Sequence, residues 1–373
     1  MKIVIASDSF KGSLSSVEVA QAATRGVRAV NPHCEIVAVN VADGGEGTVE
    51  AVVEALGGQI ITTNVSDPLG RAIQAQYGIA GETAIIEMAA ASGLPLLQPA
   101  ERNPWLTSTY GTGEIIMNAL QRGCRHFLIG IGGSATNDAG IGMLHALGFR
   151  FYDTNHHEIP SYCGGNLQDI ADIDDTLVSP AIRQAQFTVA CDVDTPFCGP
   201  DGAAPVFAPQ KGADAEMVTK LDAGMASFAK VIANTYNINI VPIAGAGAAG
   251  GMGGGFRAFL NAQLKPGIDM VLDAIGFDHI IQGADLVITG EGKIDFQTAK
   301  GKTAAGVLSR ATAQHIPVIA IGGCVEMCES LAQMGFAGIY PILEEKVPLE
   351  IAMQPDFAAA NIEKTIKNIL SKY

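Results

Sequence analysis

The sequence predicts an α/β protein of two lobes, and three features of the chain carry that prediction. Short apolar runs lead into glycine-rich polar loops and then into helical stripes, which is how parallel α/β units read. After Gly57-Gly58 the pattern changes to extended segments joined by turns, so a lobe of different, mixed-sheet construction begins there. The strand–glycine–helix form then returns, and 373 residues at ~150 per domain allow two or three domains.

Taken in order, Lys2–Ala6 reads as a buried strand followed by the loop Ser7 to Leu14. Ser15 and Glu18 have capping-box spacing, and Val17, Ala20, Val27 and Val30 keep one apolar stripe, so a helix follows. Glu35–Val41 is a second strand, Ala42 to Thr48 a second loop, and Val49–Leu56 a helix. Ile60–Val65 and Ala72–Ile79 flank the turn Asp67-Pro68-Leu69-Gly70, and Ala84–Met88 adds another strand; antiparallel pairing is the natural reading. Phe127–Ile131 returns to the first pattern, whereas Tyr152 to Gln184 is polar and reads as a surface excursion. Thr188–Cys191 and Ile238–Ile243 are later strands, and Phe256–Leu264 is a helical run. Leu286–Thr289, Val318–Ile321 and Gly338–Leu343 form a closing α/β segment, and the helix Phe357–Leu370 ends it. There is no internal repeat and no low-complexity linker.

Composition excludes several classes of function. Hydrophobic residues make up 48% and charged residues 16%, which argues for large cores and against disorder. Acidic residues outnumber basic ones 38 to 23, for a net charge of −15, so neither nucleic acid nor an anionic membrane is an expected partner. An anionic substrate must then be met by local positive features. Seven cysteines form no disulfide framework, and Cys324 and Cys328 lack zinc-site spacing. The start is too short for a signal peptide, and the uncharged run Val231 to Phe256 is broken by Asn, Pro and Gly. A cytoplasmic globular protein is expected.

Polar residues concentrate in the loops that follow strands: Asp8/Lys11/Ser13, Asp43/Glu46/Thr48, Ser134/Asn137/Asp138, Asp192/Asp194 and Glu291/Lys293/Asp295. Parallel sheets bind ligands outside the carboxyl ends of their strands, so such loops can converge. Glycines in the same loops, Gly44, Gly45, Gly132, Gly133 and Gly290, let backbone N–H groups approach a phosphate. Neighbouring carboxylates suit Mg²⁺, which takes one or two of them plus phosphate oxygens. Turn-making and helix capping explain Gly and Asp in any single loop equally well; five loops of one composition favour a ligand.

Standard nucleotide motifs fit less well. Gly301-Lys302-Thr303 ends like a Walker A loop, but Phe296 takes the place of the first glycine. Gly245, Gly247 and Gly250 match GxGxxG between an expected strand and an expected helix, which is the best case for an NAD-dependent dehydrogenase. Glycines continue through Gly251 and Gly253 to Gly255, however, and no second strand ends in an acidic residue at the expected distance. No GxSxG elbow or histidine motif supports a nucleophilic triad.

The loops Ser7 to Ser15, Ala42 to Thr48, Glu87 to Leu94, Gly111 to Glu114 and Gly130 to Asp138 resemble those of the bacterial glycerate kinase family of the first type. So do Pro209 to Ala213, Ala244 to Gly254 and Thr289 to Asp295, in order along nearly the whole chain. The resemblance implies ATP-dependent phosphorylation of D-glycerate to 2-phosphoglycerate. It also implies one flavodoxin-like lobe and a second α/β lobe inserted in it, with the site in the cleft between them. With the changes of pattern above, the first lobe takes 1–58 plus 283–373 and the second 59–282. Ser7, Ala139, Asp194, Phe197, Ala208 and Lys293 depart from the residues usual in that family. Under this reading Lys11 and Lys293 are the cations, with Arg102 and Lys211 behind them. Asp192 or Asp138 orients the substrate hydroxyl as base, and Glu291 and Asp295 hold metal-bound water. Asp8, Ser13, Asp43, Gly44, Gly45, Glu46, Gly132, Gly133, Ser134, Asn137, Gly245, Gly247, Gly250, Gly251 and Gly290 bind substrate or nucleotide. Mg²⁺ with ATP is the expected cofactor, D-glycerate and ATP the small-molecule partners, and a homodimer the expected assembly. Three rivals stay open: the dehydrogenase, a non-catalytic binding protein, and a kinase that yields 3-phosphoglycerate.

Overall fold

The computed structural model of the chain describes residues 1–45, 47–343 and 347–372. Its strands are, in chain order, β1 (Lys2–Ser7), β2 (Glu35–Asn40), β3 (Gln59–Ser66), β4 (Ala72–Ala80), β5 (Thr83–Glu87), β6 (His126–Gly130) and β7 (Arg150–Tyr152). Then come β8 (Asp172–Asp174), β9 (Gln186–Ala190), β10 (Gln263–Lys265), β11 (Leu286–Ile294), β12 (Val318–Val325) and β13 (Gly338–Pro341). The chain divides into one compact unit of Met1–Asp43, Glu50–Leu56 and Pro266–Tyr373, and another of Gly44–Val49 and Gly57–Lys265.

The first unit is built on a sheet in the order β2-β1-β11-β12-β13, with every pair parallel. That is the flavodoxin order 2-1-3-4-5, which leaves a topological switch point beside β1. Alternation along β1 places its two faces in two cores. Ile3 and Ile5 pack with Val19, Ala23 and Ile366 from the helices Ser16–Val30 and Pro355–Leu370. Val4 and Ala6 pack with Ile268, Val307 and Ala311 on the opposite face. The capping box at Ser15 and Glu18 forms as expected. Arg310 on the helix Thr303–Ala313 pairs with Asp269, Asp273 and Asp278, tying down the helices Gly267–Ala274 and Phe277–Ile280.

The second unit carries a mixed sheet, β10-β9-β6-β5-β4-β3. The turn at Asp67 to Gly70 joins β3 to β4, and both β3–β4 and β4–β5 are antiparallel, as the turn chemistry predicts. Pairings β5–β6, β6–β9 and β9–β10 are parallel.

Two expectations need correction. Ile238–Ile243 is not a strand: Val241 N–H bonds to Asn239 Oδ1, Ile243 N–H to Ile240 O, and Val241 O accepts from Phe197 N–H. Local turns consume the donors that a ladder would use. The stretch Tyr152 to Gln184 is no surface excursion either. Its scattered apolar residues Ile159, Leu167, Ile170, Ile173, Val178 and Ile182 are all buried in the second unit's core, and β7 and β8 pair antiparallel within it.

Candidate functional site

Each unit presents polar residues at the carboxyl ends of its parallel strands. In the first unit, β1 runs into a tight turn in which Ser13 and Leu14 N–H both bond to Phe10 O. Phe10 and Leu14 are buried anchors, so Lys11 between them projects to solvent. Gly12 turns at φ +75°, with Met353 Cε 2.6 Å from where a Cβ would stand. The first residues after β1, and those in and after β11, line a cavity of about 800 Å³. Asp8, Lys11, Asp43, Glu291, Lys293 and Lys302 form its polar end.

The helix Thr303–Ala313 opens against this cluster. Thr303 Oγ1 donates to Asp8 Oδ2 at 3.0 Å, and Ala304 N–H donates to Glu291 Oε1 at 3.0 Å. Burial pushes Glu291 from the ordinary 4.5 up to about 7, with the Asp8 and Asp43 charges adding to it against the Ala304 N–H and Lys302. Burial, then Asp43, likewise raises Asp8 against the Ser9 N–H, Thr303 and Lys11. Lys293 is half exposed and bridges Asp295 at 3.1 Å and Glu326 at 3.0 Å. Asp295 also accepts from Gln297 N–H at 2.8 Å, the geometry of a turn, and lies outside the cavity lining where Glu291 stands. Ser13 lines the cavity and its buried Oγ has no hydrogen-bond partner among the described residues. Gly290 sits in β11, where its carbonyl accepts from Asp8 N–H and Ser7 Oγ–H.

Among the described residues, no three His, Cys, Asp or Glu side chains stand in metal-ligating geometry. Mg²⁺ needs no such cage, because it keeps several waters and takes phosphate oxygens. Asp8, Asp43 and Glu291 fit it by another measure. Each of Asp8 and Glu291 is raised partly by its carboxylate neighbours, a repulsion that a divalent cation in the cavity relieves.

In the second unit, β6 ends at Gly130 and its loop divides in two. Gly132 and Gly133 are exposed, with open space where a Gly132 side chain would go. Ser134 to Asp138 are buried. Lys211, 1% exposed, donates to Ser134 Oγ and Thr136 O, both at 2.6 Å. Burial lowers it from 10.5 to about 7, against the pull of Asp138. Asp138 is 0% exposed and accepts from Thr109 N–H and Oγ1–H and from Gly140 and Gly142 N–H. Those bonds make Asp138 the staple of its loop and leave it no exposed surface, where the sequence suggests a base. Asn137 donates to Met225 Sδ, and its buried Oδ1, with Thr136 Oγ1 and Arg102 Nε, has no partner among the described residues. Asp192 and Asp194 are exposed just beyond β9. Gly44 and Gly45 lie in the loop after β2, where Gly44 takes φ +86°; Glu46 lies outside the described residues.

The glycine-rich segment at 245–255 does not form a dinucleotide loop. No strand precedes it, and Ala249, Gly250 and Gly251 are left-handed inside the helical run Ala248–Phe259. A Cβ on Gly247 would lie 2.1 Å from Pro196 O, and one on Gly250 would lie 2.2 Å from Thr136 O. Gly245 and Gly251 are likewise faced by Cys191 Sγ and Met225 Cε, both at 2.6 Å. Protein backbone and side chains stand close against all four glycines, and with no strand before them the dinucleotide loop that the NAD reading requires is not formed. Sequence reasoning passed over Lys302 and Thr303, which the failed Walker A match had discarded. Their signal was present: a Gly-Lys-Thr that opens a helix after a strand.

A sequence model of the glycerate kinase family matches residues 3–373. The chain is similar to the glycerate kinase of Bacillus subtilis (strain 168), 47% identical over 372 residues that cover 99% of this chain and 97% of that one. It is 44% identical to the glycerate 2-kinase of Escherichia coli (strain K12) over 372 residues, again 99% and 97%. A crystal structure from Salmonella typhimurium LT2, provisionally assigned as glycerate kinase 2, superposes with a TM-score of 0.91 at 44% identity, covering 100% of this chain and 98% of that one.

Proposed function

The chain belongs to the glycerate kinase family, a family of phosphotransferases, and from that premise we propose that it transfers the γ-phosphoryl group of ATP to D-glycerate, forming 2-phosphoglycerate and ADP. The observation that carries this reading is the 800 Å³ cavity at the switch point of the first unit, with carboxylates and lysines at one end. Phosphoryl transfer asks a protein mainly to position groups and to neutralise charge. Lys11, Lys293 and Lys302 supply positive charge against the phosphates that the chain's net −15 otherwise repels. Asp8, Asp43 and Glu291 would hold Mg²⁺ through oxygen atoms, and the ion, when bound, offsets charge on the β- and γ-phosphate oxygens. Thr303 and the Ala304 N–H keep Asp8 and Glu291 pointed and spaced, so little reorganisation is left to the reaction. In the step itself a glycerate hydroxyl oxygen forms the new bond to phosphorus, the bond to the ADP oxygen breaks, and the hydroxyl proton leaves to a base. Asp192, beyond the carboxyl end of β9, is the proposed base.

The test is a coupled ADP-release assay with D-glycerate, with and without EDTA, followed by proton-coupled phosphorus NMR of the product. A phosphorus on the secondary oxygen splits into a doublet and one on the primary oxygen into a triplet. Turnover that needs divalent metal and yields the doublet supports the proposal. A triplet moves the product to 3-phosphoglycerate, and no turnover overturns the reading.

A further inference from the structure

The cavity of the first unit has two chemically distinct ends, and the geometry points to its apolar end as the seat of the nucleotide's base. This rests on the reading of the polar end as the phosphate site. Beyond β12 and β13 the lining turns to Ile342, Leu343, Val347, Leu349, Ala352 and Met353. Strand order explains the division, because β2, β1 and β11 carry the polar loops while β12 and β13 lie to one side of them. A nucleoside triphosphate has the same polarity along its length, charged at one end and flat and weakly polar at the other. About 800 Å³ also lies within the range of cavities that enclose ligands of this size.

Two details favour a flat ring on this wall. Leu349 is 71% exposed although it lines the cavity, so its side chain has apolar area left to cover. Met353 reaches across to within 2.6 Å of a Cβ position on Gly12, which joins the apolar wall to the turn that carries Lys11 and Ser13. Thioether and branched aliphatic groups adapt to an aromatic face without demanding a hydrogen bond. The buried, unpartnered Ser13 Oγ stands in the same turn, where a ribose hydroxyl would supply its missing partner.

The experiment measures binding of Mg·ATP, Mg·ADP and magnesium tripolyphosphate to the full chain, wild type and Leu343→Ala/Leu349→Ala. Expected is an approximately tenfold weaker binding of both nucleotides to the variant, because apolar contact is lost, with tripolyphosphate unchanged within about twofold. Leu349→Ala alone, at an exposed position, gives a smaller change in the same direction and guards against misfolding of the double variant. Photolabelling of the wild type with 8-azido-ATP then maps the base, and labels should fall on Ile342, Leu343 or residues 347–353. Nucleotide and tripolyphosphate weakened together, neither weakened, or labels confined to other segments would overturn the inference. If the wild type turns over glycerate in those cases, the kinase reading survives and only the base site is lost; if it has no turnover, the reading beneath it fails first.

Discussion

Glu291→Gln separates the catalytic demand on the polar cluster from its cost to folding. Glutamine keeps the oxygen that accepts the Ala304 N–H and removes the ionisable group. A carboxyl raised from 4.5 to about 7 binds its proton more tightly in the folded chain. The stability it contributes is therefore fully present below about pH 4.5 and is lost as pH rises through about 7. The displacement is worth about 3 kcal/mol at 1.36 kcal/mol per pH unit, once the group is ionised. At ~2–4 °C per kcal/mol that is several degrees of melting temperature. Melting curves of wild type and variant should nearly coincide at about pH 5, and at about pH 8.5 the variant should melt several degrees higher. Magnesium should narrow that gap by stabilising the wild type, since bound cation favours the ionised form. The more stable protein should be the poorer enzyme, with turnover down about 100-fold at saturating Mg·ATP. A difference in melting temperature that stays flat between the two pH values would refute the argument, because Glu291 would then not titrate between folded and unfolded states as its burial requires.

Other perturbations test the second unit. Lys211 has the opposite sign: lowered from 10.5 to about 7, its folding penalty is complete below pH 7 and lifts as pH rises toward 10.5. The stability of wild type relative to Lys211→Met should therefore climb between about pH 7 and 10, by at most about 5 kcal/mol, as read by urea titration at each pH. Asp192→Asn, at an exposed position, should leave melting within about 1 °C while turnover falls at least ~100-fold; a shift in melting with near-normal turnover per folded molecule marks a turn cap instead. Gly250→Ala places a Cβ 2.2 Å from Thr136 O at φ +69° and should cost roughly 3 kcal/mol or more. Gly132→Ala, into open space, should leave stability within about 0.5 kcal/mol, and any effect appears in KM.

Much of the fold was legible because its signals are local. The apolar run Lys2–Ala6, the capping box at Ser15 and the turn at Asp67 to Gly70 each specify their own geometry, and each forms. Ile238–Ile243 is apolar enough for a strand, but Pro242 cannot donate to a ladder and Asn239 turns the backbone locally, while Phe197, distant in the chain, takes the Val241 carbonyl. Between Tyr152 and Gln184 the apolar residues are too sparse for either periodicity, yet single residues such as Leu167 and Ile173 still reach the core. Burial of that kind depends on partners distant in the chain.

The site shows the same limit at finer grain. Asp8 and Asp138 look alike in sequence, each an aspartate in a glycine-rich loop after a strand, and no local rule separates them. The fold does so through what each loop meets. Asp8 leaves β1 beside the switch point, where neighbouring crossovers diverge and a cavity opens, so one of its oxygens shares a helix N-terminal threonine and the residue still lines open space. Asp138 lies eight residues beyond β6, where Thr109, Gly140 and Gly142 close around both oxygens and exclude solvent. The composition of a loop therefore points to the end of the sheet where chemistry can occur. Which carboxylate is left beside open space is decided by strand order, since strand order determines where neighbouring loops part, and in this chain β1 finds β11 as its neighbour across 283 residues of separation.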